Sequence, residues 1–392
     1  MILPGATLGI LGGGQLGRMF VMAARTMGYQ VIVLDPDPGS PAGQLANAQI
    51  CADYGDRNAL DNLARSCAAI TTEFENVPAT SLAYLATFCP VRPSAAAVAI
   101  TQDRIKEKNF LRDNSLETAR YAVIEHAQHF VQAINIISTP ALLKLSRMGY
   151  DGKGQKQVRN LDEAKRAFAE FGQQPCVLEE LVAIQNEVSV VIVRSADGNT
   201  VSYSPCENWH IDGILHMSVA PARISPALAD AATKIALNIA ALLNYCGVMA
   251  VEFFVLHDGR LLVNEIAPRP HNTGHHTLDA CLVSQFEQQV RVLCDLPLGD
   301  TTLLRSSAMV NILGDLWHEG HDPAWAHILS QQQTKLHLYG KAAARPGRKM
   351  GHYTCLADNV EAAMTRAQKV YQALDDKHVL ENSPTTLAAA SP

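Results

Sequence analysis

The feature that most constrains this chain is a pair of apolar, strand-like runs, 251–256 and 261–265, on either side of Asp258-Gly259. Asp-Gly between such runs is among the strongest short-range signals for a tight hairpin with a type I′ turn. Counting outward from a two-residue Asp258-Gly259 loop pairs Leu256 with Leu261, Phe254 with Val263 and Glu252 with Glu265, so both carboxylates share a face. Their Cβ atoms would lie roughly 5 Å apart. Apolar neighbours partly desolvate both glutamates, and like charges directly opposite each other are destabilising unless something positive lies between them. With Asn264 beside them they form an all-oxygen set that suits a hard cation such as magnesium, usually held by one or two carboxylates plus substrate phosphates. A nucleotide is therefore implied as well; the competing reading is a surface hairpin with solvated ends. The next segment, Arg269-Pro270-His271-Asn272-Thr273-Gly274-His275-His276, packs an arginine, imidazoles and an amide into a few residues and suits a small anion.

A chain of 392 residues can build two or three domains around a sizeable core. At 48% hydrophobic and 18% charged residues it is globular in composition, and no apolar run is long enough for a membrane span. The net charge of −6 argues against broad affinity for nucleic acids or membrane surfaces. Nine cysteines without C-x-x-C spacing, behind a start that lacks a signal-type pattern, read as a reduced cytoplasmic protein.

Along the chain, 7–11 is a short strand, and Gly12-Gly13-Gly14-Gln15-Leu16-Gly17 fits G-x-G-x-x-G ahead of a helical stretch at 15–27. A second strand, 30–34, ends in Asp35. This Rossmann-type start can hold an anion at the helix N-terminus, either a dinucleotide with Asp35 on a ribose or the phosphate of another substrate. The strand at 68–72 ends in Glu73-Phe74-Glu75-Asn76, where open α/β sheets place ligand-contacting loops; both glutamates could instead merely charge the start of a helix at 79–88. Residues 91–94 read as a domain boundary. A charged helix opens at Thr101-Gln102-Asp103-Arg104, with most of its charges expected on a solvated face.

The pattern over 120–182 is strand, helix, strand, glycine-rich loop, helix, strand, compact enough for a small lid. Lys144 precedes Gly149-Tyr150-Asp151-Gly152-Lys153-Gly154-Gln155, whose glycines and lysines can wrap a polyphosphate; a flexible hairpin tip is the alternative. It is not a Walker A loop, because the G-K-[ST] ending is absent. The strand at 176–178 is expected at a sheet edge, running into Glu179-Glu180-Leu181-Val182, whose acceptors could read an adenine and a ribose. Ser225-Pro226 start a long helix that stops at Gly247. From about 306 the chain reads as a smaller β-rich domain with two helices, carrying a basic loop with Lys341, Arg345, Arg348 and Lys349. That loop is a phosphate site or a solvated charge run. Residues 381–392 read as a disordered tail.

In this order, Lys144, the 149–155 loop, 179–182, Glu187, Glu252 and Asn264-Glu265 resemble the ATP-grasp fold. The resemblance implies an α/β and α+β architecture: a Rossmann-like, pre-ATP-grasp domain (1–100), an ATP-grasp domain (101–300, lid at about 120–185), a small β-rich C-terminal domain (301–378) and the tail (379–392). With the first glycine loop, 72–78, 264–275 and 345–352 added, residues 5–375 resemble the 5-(carboxyamino)imidazole ribonucleotide synthetases of purine biosynthesis. That family joins bicarbonate to aminoimidazole ribonucleotide through carboxyphosphate, with cleavage of ATP as co-substrate to ADP and phosphate.

Carried over position by position, ATP would be held by Arg104, Lys144, Gly149, Tyr150, Asp151, Gly152, Lys153, Gly154, Gln155, Glu179, Glu180, Leu181, Val182, Glu187, His210, Asn264 and Glu265. Glu252 and Glu265 would hold magnesium, or manganese in its place. Gln15, Leu16, Glu73, Asp151, Lys341, Arg345 and Arg348 would gather around the ribonucleotide. Arg269, His271 and Asn272 would bind bicarbonate and the intermediate, with Lys144 sharing the catalytic work. The resemblance also implies a homodimer and a functional link to the mutase that takes up the product. It departs at Ala342-Ala343-Ala344, where a more polar run is expected. The competing classes are a nicotinamide oxidoreductase, which leaves the Glu252/Glu265 pair and the basic clusters without purpose, and a binding protein that keeps an ATP-grasp shell without turnover. Within the enzyme class, a formate-using transformylase or a biotin carboxylase would share the ATP site.

Overall fold

The computed structural model describes residues 1–149, 154–317 and 322–374. The expectations placed on Tyr150, Asp151, Gly152, Lys153 and the tail at 379–392 concern residues outside that set.

Near-continuous apolar runs form the first sheet: β1 (Thr7–Leu11), β2 (Gln30–Leu34), β3 (Ala48–Ile50), β4 (Ala69–Thr72) and β5 (Val91–Arg92). The strands are parallel in the order β3-β2-β1-β4-β5. Such strands are covered on both faces, which is why they lack polar alternation. The order turns back at β1, so a crevice opens beyond the carboxyl ends of β1 and β4. Gly12–Gly14 and Glu73–Asn76 lie at that edge.

A second sheet contains β6 (Tyr121–Ile124), β7 (Ala141–Leu145), β8 (Gln155–Val158) and β9 (Cys176–Glu180), antiparallel in the order β6-β9-β7-β8. β9 is therefore an interior strand, contrary to the edge position expected for it: Glu179 pairs with Tyr121 on one side and with Leu142 on the other. The run Cys176-Val177-Leu178 is buried, and an interior position gives its main-chain groups partners on both sides where water cannot serve them. β8 was not expected at all. Its sequence, Gln155-Lys156-Gln157-Val158, is exposed until its last residue and carries no hydrophobic alternation.

The largest sheet holds β10 (Ile184–Arg194), β11 (Thr200–Ser202), β12 (Cys206–Ile211), β13 (Ile214–Ala220), β14 (Gly247–Leu256), β15 (Leu261–Ala267), β16 (Ser306–Leu313), β17 (Thr334–Leu338) and β18 (Lys349–Ala357). Its order is β15-β14-β10-β12-β13-β16-β18-β17, with β11 beside β10. The C-terminal strands thus do not build a separate sheet; they extend this one through the β13–β16 ladder from Met217↔Val310 to Ala220↔Ser307. The helix Pro226–Leu242, capped by the Ser225 side chain on the Leu228 N–H, packs Ala232, Ala236, Ile239 and Ala240 on β10 and β14. It ends five residues short of Gly247, with Asn244 in a left-handed conformation (φ 43°), and Gly247 instead opens β14. The helix Gln285–Leu293 wedges between sheets, placing Val290 and Leu293 against Leu8, Ile10 and Phe20. Among the described residues no helix is long and apolar enough to cross a membrane.

Between β15 and that wedge the chain runs through the interior, burying His275 and His276 at 0% and 1% exposure. Burial pushes His276 down to about 4, and pushes His275 and His352 well below the usual histidine range. Between pH 6.5 and 4 the unfolded chain therefore binds protons that the folded chain excludes, so stability rises with pH across this window. Urea midpoints should be level at pH 7–8 and fall steadily below about 6.5, His276 alone removing about 3 kcal/mol by pH 4. A profile that stays flat down to pH 5 would contradict the neutral, buried state of these rings.

Candidate active site

A cleft of about 900 Å³ opens where the sheets meet. Gln15, Leu16 and Glu73–Asn76 line it from the first sheet, and Leu142, Lys144, Met148 and Gln155 from the second. The large sheet supplies Glu187, His210, Glu252, Phe254, Asn264, Glu265 and Lys349, and the segment after β15 adds Arg269, His271 and Asn272.

The hairpin β14–β15 does pair Glu252 with Glu265, but by a different route from the one expected. Leu256 donates its N–H to the Arg260 carbonyl and accepts from the Gly259 N–H, which makes the loop His257-Asp258-Gly259, three residues long. Only Gly259 takes positive φ (84°), whereas a type I′ turn needs it at both central positions. Near the turn the register is consequently shifted by one, with Phe254 opposite Leu262 and Val255 opposite Leu261. A bulge between Glu252 and Phe253 takes up Asn264 as the extra residue and restores the count. The bulge also explains why Asn264 and Glu265, although adjacent, both line the cleft. The Asn264 amide reaches Glu252 Oε2 at 3.4 Å. Burial, and then the Glu265 charge, push Glu252 up to about 7.

β15 is the edge of its sheet. Its outer N–H and C=O groups need partners; Glu117 and Thr118 meet those of Val263, and the charged helix Arg104–Asp113 meets the ones that follow. Glu107 accepts the Ile266 N–H at 2.6 Å, Lys108 reaches the Asn264 carbonyl at 3.4 Å, and Arg104 pairs with Glu265 at 3.1 Å. These charges were expected on a solvated face; Glu107 and Lys108 are instead 1% exposed each. Lys108 also faces Glu179 (3.6 Å), which takes Lys144 at 2.7 Å. Burial would raise the Glu179 carboxyl, but Lys108 and Lys144 override it and hold it at about 2.

The other end of the cleft gathers donors for anions. Arg269 pairs with Glu75 at 2.5 Å, and its charge holds the buried Glu75 below the ordinary carboxylate range. His271 Nε2 stands 3.3 Å from Glu252 Oε1, and burial, then the Arg269 charge, keep its pKa well below the usual value. Both amide atoms of Asn272 are buried without a hydrogen-bond partner among the described residues, which suits a polar ligand. Lys341 links the C-terminal loop to the first glycine turn, donating to Gln15 Oε1 and to the Lys349 carbonyl, each at 2.7 Å.

The first helix N-terminus carries an anion that belongs to the protein. Glu73 accepts the N–H groups of Gly14 and Gly17, the latter at 2.7 Å. A Cβ at Gly14 would stand 2.4 Å from Glu73 Oε1, so the glycine is required for this approach. Asp35 is likewise committed, to the Gly13 N–H (2.6 Å) and the Tyr54 hydroxyl (2.7 Å), and is not free for a ribose.

Of the residues singled out in the sequence, the cleft brings together Gln15, Leu16, Glu73, Arg104, Lys144, Gln155, Glu187, His210, Glu252, Asn264, Glu265, Arg269, His271 and Asn272. His210 pairs with Glu187 at 2.8 Å. Gly149, Gly154, Leu181 and Val182 do not line it; Glu179 is spent on lysines, and Glu180 on the Arg120 N–H and guanidinium at 2.8 and 2.7 Å. Arg345 and Arg348 lie outside the lining, the latter donating to the Ala343 carbonyl at 2.7 Å. Lys349, one of the four cations of the basic loop but not among the residues carried over from the resemblance, does line the cleft; the apolar lining of Leu142, Met148, Ile184, Leu215 and Phe254 is not foreseen in the sequence. Apolar residues in strands carry no signal that separates a ligand slot from core.

Three family models match consecutive parts of the chain: ribonucleotide synthetase preATP-grasp domain at 5–102, ATP-grasp domain at 109–286 and phosphoribosylaminoimidazole carboxylase C-terminal domain at 307–366. The chain is 46% identical over 353 residues to the N5-carboxyaminoimidazole ribonucleotide synthase of Brucella melitensis, covering 90% of this chain and 96% of that protein. The crystal structure of an N5-carboxyaminoimidazole ribonucleotide synthetase with ADP is similar at a TM-score of 0.88 and 41% identity, over 95% of this chain and 97% of that one. The Aspergillus clavatus N5-carboxyaminoimidazole synthase in complex with ADP and 5-aminoimidazole ribonucleotide is similar at 0.87 and 32% identity, over 95% and 99%.

The edge seal can be tested directly. Glu107→Ala leaves the Ile266 N–H unpartnered and should cost about 2 kcal/mol in urea unfolding, whereas the exposed neighbour Lys106→Ala should stay within about 0.5 kcal/mol.

Proposed function

The chain belongs to the N5-carboxyaminoimidazole ribonucleotide synthase family, an ATP-grasp ligase family, and from that premise we propose how its cleft carries out the ATP-dependent carboxylation of 5-aminoimidazole ribonucleotide with bicarbonate. The observation that carries the assignment of parts is the polarity of the cleft: paired carboxylates at Glu252 and Glu265 stand beside a donor cluster of Arg269, His271 and Asn272.

ATP lies against the apolar lining, with Lys144 and Arg104 on its phosphates. Glu252, Glu265 and Asn264 would hold magnesium or manganese. The fit rests on the all-oxygen donor set and on Glu252, a carboxyl pushed up by burial and by the Glu265 charge opposite it. When bound, such an ion neutralises phosphate charge as it develops. Bicarbonate, held by Arg269, His271 and Asn272, attacks the γ-phosphate in line to give carboxyphosphate and ADP. Alignment and charge neutralisation do most of the work in such a transfer. The aminoimidazole ribonucleotide enters from the side of Gln15, Leu16 and Glu73, with Lys341, Arg345, Arg348 and Lys349 towards its phosphate. Its amine then takes the carboxyl group as phosphate leaves. Asp151 and the polyphosphate loop belong to the same reading.

A cytoplasmic setting fits the nine free thiols, which a reducing compartment would preserve. A homodimer is part of the reading; Leu282 and Leu304, 58% and 57% exposed on bridged segments, offer it an apolar contact. The product passes to the mutase.

Phosphate release from MgATP and bicarbonate should depend on aminoimidazole ribonucleotide, with a carboxylated product seen by mass spectrometry of cold-quenched samples. Turnover that ignores this nucleotide but follows glycinamide ribonucleotide with formate, or biotin, would leave the ATP site standing and refute the substrate. His271→Ala should keep ATP binding in calorimetry while losing carboxylation; full product formation would refute its assignment.

A further inference from the structure

Beneath His271 lies a buried chain of hydrogen bonds whose direction is set from the Asn208 end. Asn208 Nδ2 donates to Ser189 Oγ (3.0 Å), Ser189 Oγ donates to Thr273 Oγ1 (2.8 Å), and Thr273 Oγ1 lies 2.9 Å from His271 Nδ1. The Asn208 amide is oriented by Ser218, whose hydroxyl donates to Oδ1 at 2.8 Å. Ser189, Thr273 and Ser218 are 0% exposed and Asn208 5%, which leaves little room for exchange with solvent.

A hydroxyl has one proton to give. Ser189 receives from Asn208, so its proton goes to Thr273, and the Thr273 proton goes to His271 Nδ1. The Thr273 main-chain N–H lies 3.5 Å from the same nitrogen, too long to hold the tautomer without the hydroxyl. Resting on the role proposed above for His271, we infer that this relay makes Nδ1 a permanent acceptor and leaves the ring proton on Nε2, facing the cleft beside Glu252. His271 then acts on the carboxyl oxygens of bicarbonate as a hydrogen-bond donor and not as a general base. Ser189 and Thr273 are positioning residues for it. The two faces of an imidazole are chemically distinct, and the partner of one nitrogen selects the state of the other.

The test uses the full chain labelled with ¹⁵N-histidine, with His271 assigned by the signals lost in His271→Asn. Nδ1 should resonate as an unprotonated, hydrogen-bonded nitrogen and Nε2 as a protonated one. In Thr273→Val and Ser189→Ala the single tautomer should give way to a mixture, and the KM for bicarbonate should rise about tenfold with the KM for MgATP unchanged. Thr273→Ser should restore both. An Nδ1-protonated ring in the unmodified protein overturns the inference, as does an unaltered tautomer in both variants. Ser189→Ala, which removes a single hydroxyl, serves if Thr273→Val does not fold. The nitrogen signals need no turnover, so inactivity toward the ribonucleotide would count against the proposed function alone.

Discussion

The arrangement depends on a carboxylate that caps a strand. β15 carries Asn264 and Glu265 on the open edge of the large sheet, where its main-chain groups have no further strand to meet. Glu107 supplies an acceptor for Ile266, and Lys108 a donor for Asn264, from one turn of the helix Arg104–Asp113. Unpartnered edges invite pairing with other chains. Here the seal does a second job, because the same helix sends Arg104 to Glu265 and Lys108 to Glu179, which in turn holds Lys144. A strand edge, a carboxylate of the site and a lysine of the site are thus tied together by side chains from one short helix.

Much of this was legible in the sequence, for unequal reasons. The first βαβ unit showed itself through its glycines and apolar runs, and β1 and β2 have the expected limits. The Glu252/Glu265 pair was read correctly although the turn beneath it was not: a loop longer by one residue and a bulge of one residue cancel. A bulge leaves no mark in a pattern of period two except the displaced residue, and Asn264 was visible only as a polar neighbour. The charges of the helix after Asp103 were misread because a charged sequence is solvated by default, and only the sheet edge beside it makes Glu107 and Lys108 internal. The acidic end of β9 suits an edge strand that meets a ligand, whereas the buried run before it sits between two ladders.

The glycine loop holds a further lesson about such fingerprints. Its N–H groups do find an anion, and the anion is Glu73 from the end of β4, with Asp35 serving Gly13 in the same way. The glycines are therefore explained by a protein carboxylate close to the backbone before any ligand is considered. What marks this end of the cleft as a binding region is the arrival of Lys341 at Gln15 across the whole length of the chain, a contact that no local pattern could announce.

The β13–β16 ladder has a mechanical meaning. Because it joins the C-terminal strands to the large sheet, the hairpin bearing Glu252 and Glu265 and the strand that begins at Lys349 share one hydrogen-bonded frame. The spacing between the two ends of the cleft is then a property of a single rigid body. Residues carried by the four-stranded sheet, such as Lys144, stand on a separate ladder. The distance between the carboxylates and Lys349 is thus gauged by main-chain hydrogen bonds, whereas that between the carboxylates and Lys144 runs through side chains.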